Sequence, residues 1–192
     1  MARERKFTTK DIFVETKKLL LELGYERYNI GLLAEKLNVS RAAIYKYYTN
    51  KDELIVDFML AEMEEMLAQF NNVEKELPFE EQLNSVINTI FASKDLHQML
   101  AFAHQIDAKE NEEIAQKLDL LNKQHLLLYK PLMQLIAKGK QEQKIHQNLP
   151  DSVMISFIFQ SITIPNHMNE PKEVFFESIR TLILNGLFTH KS

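Results

Sequence analysis

The chain has no cysteine and no tryptophan, and among its 192 residues only 4 are glycine and 5 proline. Without cysteine there is no disulfide and no thiolate ligand for a metal, which suits a reducing compartment and a cytoplasmic location. With so few breakers beside frequent Leu, Ile, Lys, Glu and Gln, the composition favours an almost entirely helical protein. Long apolar runs are missing too. The longest, from Val153 to Ile164, falls well short of the roughly 20 residues that span a bilayer. The opening MARERKFTTKD carries charge but no apolar core of an export signal. No glycine-rich phosphate loop, nucleophile–base arrangement, internal repeat or low-complexity tract stands out, so an enzyme is a weak reading and no cofactor is indicated. His97 and His104 lie seven apart on one helical face, but no cysteine or tight carboxylate set accompanies them, and a metal site is not expected.

What the chain does have is a division of charge. The overall formal charge is −4. Met1 to Lys51 holds 11 Lys and Arg against 6 acids, a surplus of +5, while the remainder has 12 basic and 21 acidic residues and carries −9. A basic head on an acidic body favours a polyanion that touches the head alone. Arg3, Arg5 and Lys6 in the arm from Met1 to Phe7 are within reach of a phosphate or the minor groove if that arm is ordered, and a tail without contacts is the equal alternative.

The basic head contains NIGLLAEKLNVSRAAIYKYYTNK, Asn29 to Lys51. Ile30, Leu33, Ala34 and Leu37 make one apolar stripe on a helix that Asn29 caps. Asn38, which tolerates the left-handed conformation, turns the chain, and Ser40 caps a second helix that buries Ile44 and Tyr48. At about 100° per residue, Ala42 and Lys46 then point outward, flanked by Ala43 and Tyr45. This is the pattern of a helix-turn-helix whose second helix enters the major groove. Arg41 at its start has the geometry for a bidentate contact to guanine. Ala42 and Ala43 offer only methyl contact, and Lys46 reaches a base or a phosphate.

The stretch GYERYNIGLLAEKLNVSRAAIYKYYTNKDEL, Gly24 to Leu54, resembles the DNA-binding domain of the TetR family of bacterial transcriptional regulators. Ala34, the turn NVS, IYKYY and NKDEL stand in the family's order and spacing. The resemblance covers about the first quarter of the chain. It implies an all-α protein with a three-helix DNA-binding domain at 1–50 and a larger helical effector-binding and dimerisation domain at 51–192. It implies backbone contacts from Tyr45, Tyr47 and Lys51, so the candidate DNA-binding set is Asn29, Ser40, Arg41, Ala42, Ala43, Tyr45, Lys46, Tyr47 and Lys51. Four positions depart from the family: Asn38 stands where glycine is usual, Gly31 where a polar or basic residue is common, and Tyr28 and Tyr48 where Thr and Phe are common, the last two as packing changes.

Around this segment the chain reads as successive helices. Thr8 and Asp11 resemble a capping box opening a helix that Gly24 ends, and Asn50 with Glu53 opens a long helix through Phe70. Helices follow over about Phe79 to Ser93, from an Asp95 cap to Ile106, and from Glu112 to Gly139 with a kink or split at Pro131. Pro150 to Ile164 and Lys172 to Phe188 form the last pair. Both are apolar on nearly every side and need cover on more than one face.

In the family the last two helices pair with their symmetry mates, which implies a homodimer through Met154, Phe157, Ile158, Ser161, Phe175, Ile179, Leu182, Ile183 and Gly186. The larger domain is implied to enclose a small-molecule effector, with Phe58, Met63, Met66, Phe91, Met99, Phe102, His104, His125, Tyr129 and Met133 as candidate lining; each is also an ordinary core candidate. The acidic body hints at a cationic effector, and the apolar lining fits a fatty-acid-like one equally. The reading is therefore a repressor released from a palindromic operator by a small molecule. An architectural DNA-binding protein with the same head and no effector is the alternative.

Overall fold

The computed structural model describes residues 7–71 and 76–188, and among them every named element is a helix. They are α1 (Thr9–Arg27), α2 (Ile30–Lys36), α3 (Arg41–Ile44), α4 (Lys51–Asn71), α5 (Phe79–Ala92) and α6 (Lys94–Leu100). After a 3-10 turn at Ala101–Gln105 come α7 (Glu112–Leu127), α8 (Tyr129–Gln141), α9 (Asp151–Ser161) and α10 (Lys172–Leu187). The all-α expectation holds. No described helix is long and apolar enough to cross a membrane.

Two compact units share these helices. One comprises Met1–Glu64 with Asp95–Gln124, the other Glu65–Lys94 with His125–Ser192. In the first, α1 packs on α2 and on the 3-10 turn, and α2 packs on α3. Its core includes Ile12, Leu20, Leu33, Ile44, Leu54, Ile55 and Phe58, each with no exposed surface. Thr8 closes the expected capping box: its hydroxyl accepts from Asp11 N at 3.2 Å and Asp11 Oδ2 accepts from Thr8 N at 2.7 Å. Two surface ion pairs cross between helices, Lys17–Glu62 at 2.6 Å and Lys117–Asp57 at 2.8 Å. Burial disfavours the Lys117 charge, but the hydrogen bonds it donates to Asp57 and Glu113 prevail and hold its pKa above the ordinary lysine value.

A buried polar pair fixes the end of α1. Tyr28 is 1 % exposed and its hydroxyl lies 3.0 Å from the Thr16 hydroxyl. Burial raises the Tyr28 pKa, so the phenol stays neutral and the bond intact across the physiological range. Tyr28→Phe strands the Thr16 hydroxyl, at an expected cost of about 1–2 kcal/mol, the lower part of the range because threonine can turn back to its own helix. Urea unfolding should show that loss, and Thr16→Val added to Tyr28→Phe should recover most of it.

Gly24 ends the regular helix as expected: at φ 74 and ψ 171 it leaves the helical path, and one separate turn follows to Arg27. Two local expectations need correction. Asp95 is not a cap, since α6 already begins at Lys94 and Asp95 lies in its first turn. Ser40 makes no side-chain capping bond to α3. Pro131 does split the long segment, but the break falls at Leu128, between α7 and α8. Proline has no N–H to donate to the carbonyl of Leu127 four residues back and its ring crowds that carbonyl, so the interruption appears upstream of the proline.

In the second unit α5 packs on α8, α8 on α9, and α9 on α10. Arg180 on α10 donates to Asn84 Oδ1 on α5 at 3.1 Å. The chain after α8 is drawn in by His146 N donating to Leu187 O at 3.0 Å beside an isolated antiparallel bridge between Ile145 and Phe188.

Candidate nucleic-acid interface

The head is organised by its turn. Asn29 Oδ1 accepts from Leu32 N at 3.0 Å and caps α2, as its position predicts. Asn38 sits at φ 52, the left-handed conformation that its side chain tolerates better than other non-glycine residues. Around it Asn38 N donates to Glu35 O at 3.0 Å and Val39 N to Ala34 O at 2.9 Å, so the turn satisfies the free carbonyls of α2. Four residues, Arg41–Ile44, form regular helix. Turns continue the path, with Tyr47 N and Tyr48 N both donating to Ile44 O, at 2.8 and 3.2 Å.

This geometry sorts the candidate residues cleanly. Ile44 and Tyr48 are buried, as the stripe requires. Asn29, Ser40, Arg41, Ala42, Tyr45, Lys46 and Tyr47 are exposed and Ala43 and Lys51 half-buried. Tyr45 at 51 % and Tyr47 at 40 % exposure present large aromatic surfaces that a core role would have hidden. Tyr47 meets the ring of Phe7 edge-on at 5.6 Å. Arg3, Arg5 and Lys6 lie outside the described residues. Burial pushes the Tyr48 phenol up to about 12, with Asp57 and Glu53 adding to the shift, so it remains uncharged inside the head.

Lys51 has partners that periodicity did not reveal. Its Nζ donates to Tyr25 O at 3.2 Å and lies 3.9 Å from the centre of the Tyr25 ring. Tyr25 in turn donates its hydroxyl to Asp52 Oδ1 at 2.7 Å, and burial together with that bond holds the phenol above its ordinary pKa. The start of α4 is thus pinned to the last turn of α1. The α4 cap is divided: Asn50 Oδ1 accepts from Glu53 N at 2.9 Å, while the Glu53 carboxylate accepts from Thr49 N at 2.7 Å.

The candidate effector residues are scattered. Phe58, Met63, Met66 and Met99 are buried in core, Phe91, Phe102, His125 and Tyr129 are half-buried, and His104 and Met133 are exposed. Burial lowers the His125 pKa, and its ring stands 5.7 Å from that of Tyr129, which meets Phe159 at 4.7 Å. None of the ten lines the cleft of about 300 Å³ in the second unit. Phe70, Val86, Pro131 and Leu135 form its apolar side, and Asn71, Gln82, Gln134 and Lys138 its polar side. No group of histidines and carboxylates among the described residues is arranged to hold a metal.

Of the candidate dimer residues, Met154, Ile158, Ser161, Ile179 and Ile183 lie inside the second unit's own core and Phe175 is half-buried. Phe157, Leu182 and Gly186 are exposed. They belong to two outward stripes, Val153 and Phe157 along α9 with Ile164 beyond its end, and Val174, Ser178, Leu182 and Gly186 along α10. Phe157 is 55 % and Leu182 68 % exposed.

Comparison with known proteins agrees with this geometry. The model of the family described as "Bacterial regulatory proteins, tetR family" matches residues 12–57, the span of the helix-turn-helix and its flanks. The HTH-type transcriptional regulator YhgD of Bacillus subtilis is 27 % identical over 119 residues, which are 55 % of this chain and 62 % of that protein, so this match spans about three fifths of its length. The fatty acid metabolism regulator protein of the same organism is 21 % identical over 175 residues, 88 % of this chain and 90 % of its own. Among solved structures, the ketosteroid transcriptional regulator KstR2 of Mycobacterium tuberculosis superposes with a TM-score of 0.76 at 12 % identity, over 98 % of this chain and 100 % of that one. That likeness extends the fold beyond the head to the remaining helices. The chain thus carries, at residues 12–57, the DNA-binding region described by the tetR-family model of bacterial regulatory proteins, within a fold that it shares with KstR2 along nearly all of its length.

Proposed function

We propose that the protein is a homodimeric repressor that leaves its operator when a small molecule binds, with residues 1–50 serving DNA and residues 51–192 serving effector and partner. The observation that carries the reading is the outward face of α3 and the turns after it, where Arg41, Ala42, Tyr45, Lys46 and Tyr47 are exposed as a basic and aromatic surface. Arg41 is the base reader. Tyr45 and Tyr47 donate their hydroxyls to phosphate oxygens, Ser40 and Asn29 border the same surface, and Lys51 uses the ammonium donors not taken by Tyr25 O. With Ala42 and Ala43 supplying only methyl contacts, part of the specificity resides in DNA shape.

The cleft of the second unit is the effector site we favour. Apolar walls beside Lys138, which has no ion pair among the described residues, suit an amphiphile bearing a carboxylate or other anion. A relative named for fatty acid metabolism supports the same ligand class. Effector release requires a ligand that binds the DNA-incompetent arrangement better, by about 2.7 kcal/mol for a hundredfold loss of operator affinity. Repression in the cytoplasm, without turnover of the effector, completes the reading.

Selection of bound sequences from a random DNA pool, with and without a medium-chain fatty acid, tests it. A palindromic site that weakens with the ligand is expected, and failure to enrich any site would end the repressor reading. On the selected operator, Arg41→Ala should lose about 1–3 kcal/mol and relax the preference at one base pair, measured by fluorescence anisotropy on a set of single-base variants.

A further inference from the structure

Gly31 stands in the first turn of α2, and the space that its side chain would fill is occupied. A Cβ placed on Gly31 would lie 2.7 Å from Nη2, 2.9 Å from Nε and 3.0 Å from Cζ of Arg41. The guanidinium therefore rests against the α2 backbone at a distance that only glycine permits. Backbone conformation does not explain this glycine, because Gly24 is the glycine with positive φ and Gly31 is not. Helix stability does not explain it either, since alanine is the better helix former.

We propose that Gly31 is a specificity-determining residue: by lacking a side chain it seats the Arg41 guanidinium against α2, and the seat fixes which base pair Arg41 reads. The inference rests on the DNA-binding reading of the head. Arginine suits such a seat because its planar, weakly hydrated group stacks readily. Arg41 is exposed and its side chain makes no hydrogen bond or ion pair among the described residues, so the guanidinium donors remain available to a base edge. A guanidinium already resting in one place loses less freedom when DNA arrives. The contacting atoms are the far end of a flexible side chain, so a methyl group at position 31 moves the guanidinium and leaves the backbone where it is.

The experiment compares full-length wild type, Gly31→Ala, Arg41→Ala and the double variant in bound-sequence selection, with thermal unfolding of each. Gly31→Ala should unfold no lower than wild type and still bind DNA, but lose about threefold or more of the discrimination at the base pair that Arg41→Ala flattens, part of the 5- to 150-fold worth of a good bidentate contact. The double variant should read DNA as Arg41→Ala does, because the seat matters only while the arginine is there. An unchanged preference in Gly31→Ala beside an altered one in Arg41→Ala would overturn the proposal. So would an equal loss on every sequence, which would make Arg41 a phosphate contact. If Arg41→Ala itself leaves the preference unchanged while a site is still enriched, base reading by Arg41 fails and the proposal with it; if no protein enriches any site, the DNA-binding reading fails.

Discussion

Phe157→Glu combined with Leu182→Glu is expected to leave the protein monomeric at micromolar concentration and to weaken binding to its palindromic operator about 100-fold or more. Both side chains stand on outward stripes of α9 and α10, 55 % and 68 % exposed, on helices whose other faces already fill the unit's own core. Full burial of such a side chain contributes about 1.5–3 kcal/mol. With the exposed part alone still to be covered, each contributes roughly 1–2 kcal/mol, and a two-fold interface counts every residue twice, so the pair supplies about 4–8 kcal/mol of association. The substitutions remove that and place four carboxylates in the contact. Operator binding falls because the second head no longer arrives at the effective concentration that the first one sets. Mass by light scattering and a DNA titration check both halves. Leu126→Glu, at another strongly exposed leucine, is the control: a monomer from Leu126→Glu with an intact dimer from the α9 and α10 double variant would move the interface to a different face.

How far the sequence foretold this molecule depends on the range over which each feature is determined. Features set within a turn or two were legible. The Thr8 capping box, the Asn29 cap and the left-handed Asn38 follow from residue chemistry at neighbouring positions, and Ile30, Leu33 and Ala34 of the α2 stripe reappear as a buried face. Near misses came where two local signals compete. Asp95 looked like a cap, yet helical hydrogen bonding begins one residue earlier, and Pro131 acted through the carbonyl of Leu127 so that the break preceded it. Pairs distant in sequence left no periodic trace. Nothing in the spacing says that Lys51 rests on Tyr25, or that Arg41 occupies the space above Gly31, although the departure of Gly31 from the family's usual polar residue was the available signal. The cleft was hidden for a different reason. Periodicity finds side chains that fill a core, whereas a cleft is lined by residues left over from it, such as Gln82, Gln134 and Lys138, which in sequence resemble an ordinary polar surface.

Gly139→Val should be the most damaging small substitution in the second unit, lowering stability by about 1–3 kcal/mol through overpacking, with a further share from the β-branch in a helix. A Cβ at position 139 would lie 2.4 Å from Cζ and 2.6 Å from Cε2 of Phe79, and 3.1 Å from Cδ1 of Ile145. Phe79 has little room to retreat. It is 1 % exposed, its ring meets Phe188 edge-on at 6.2 Å, and Lys144 Nζ lies 5.7 Å from its centre. Ile145 is held as firmly, by its bridge to Phe188 and by the bond from His146 N to Leu187 O. Glycine is therefore required by close approach at the crossing of α5 and α8, and any side chain must push one helix from the other. For a chain of this size the midpoint of thermal unfolding, followed by circular dichroism, should fall by about 2–4 °C per kcal/mol. The Phe79→Leu, Gly139→Val double variant separates the clash from mere loss of glycine. A shorter side chain at 79 makes room for the new methyl groups, so the double variant should be more stable than the sum of the two single losses predicts. Strict additivity would mean that the ring is not what makes position 139 intolerant.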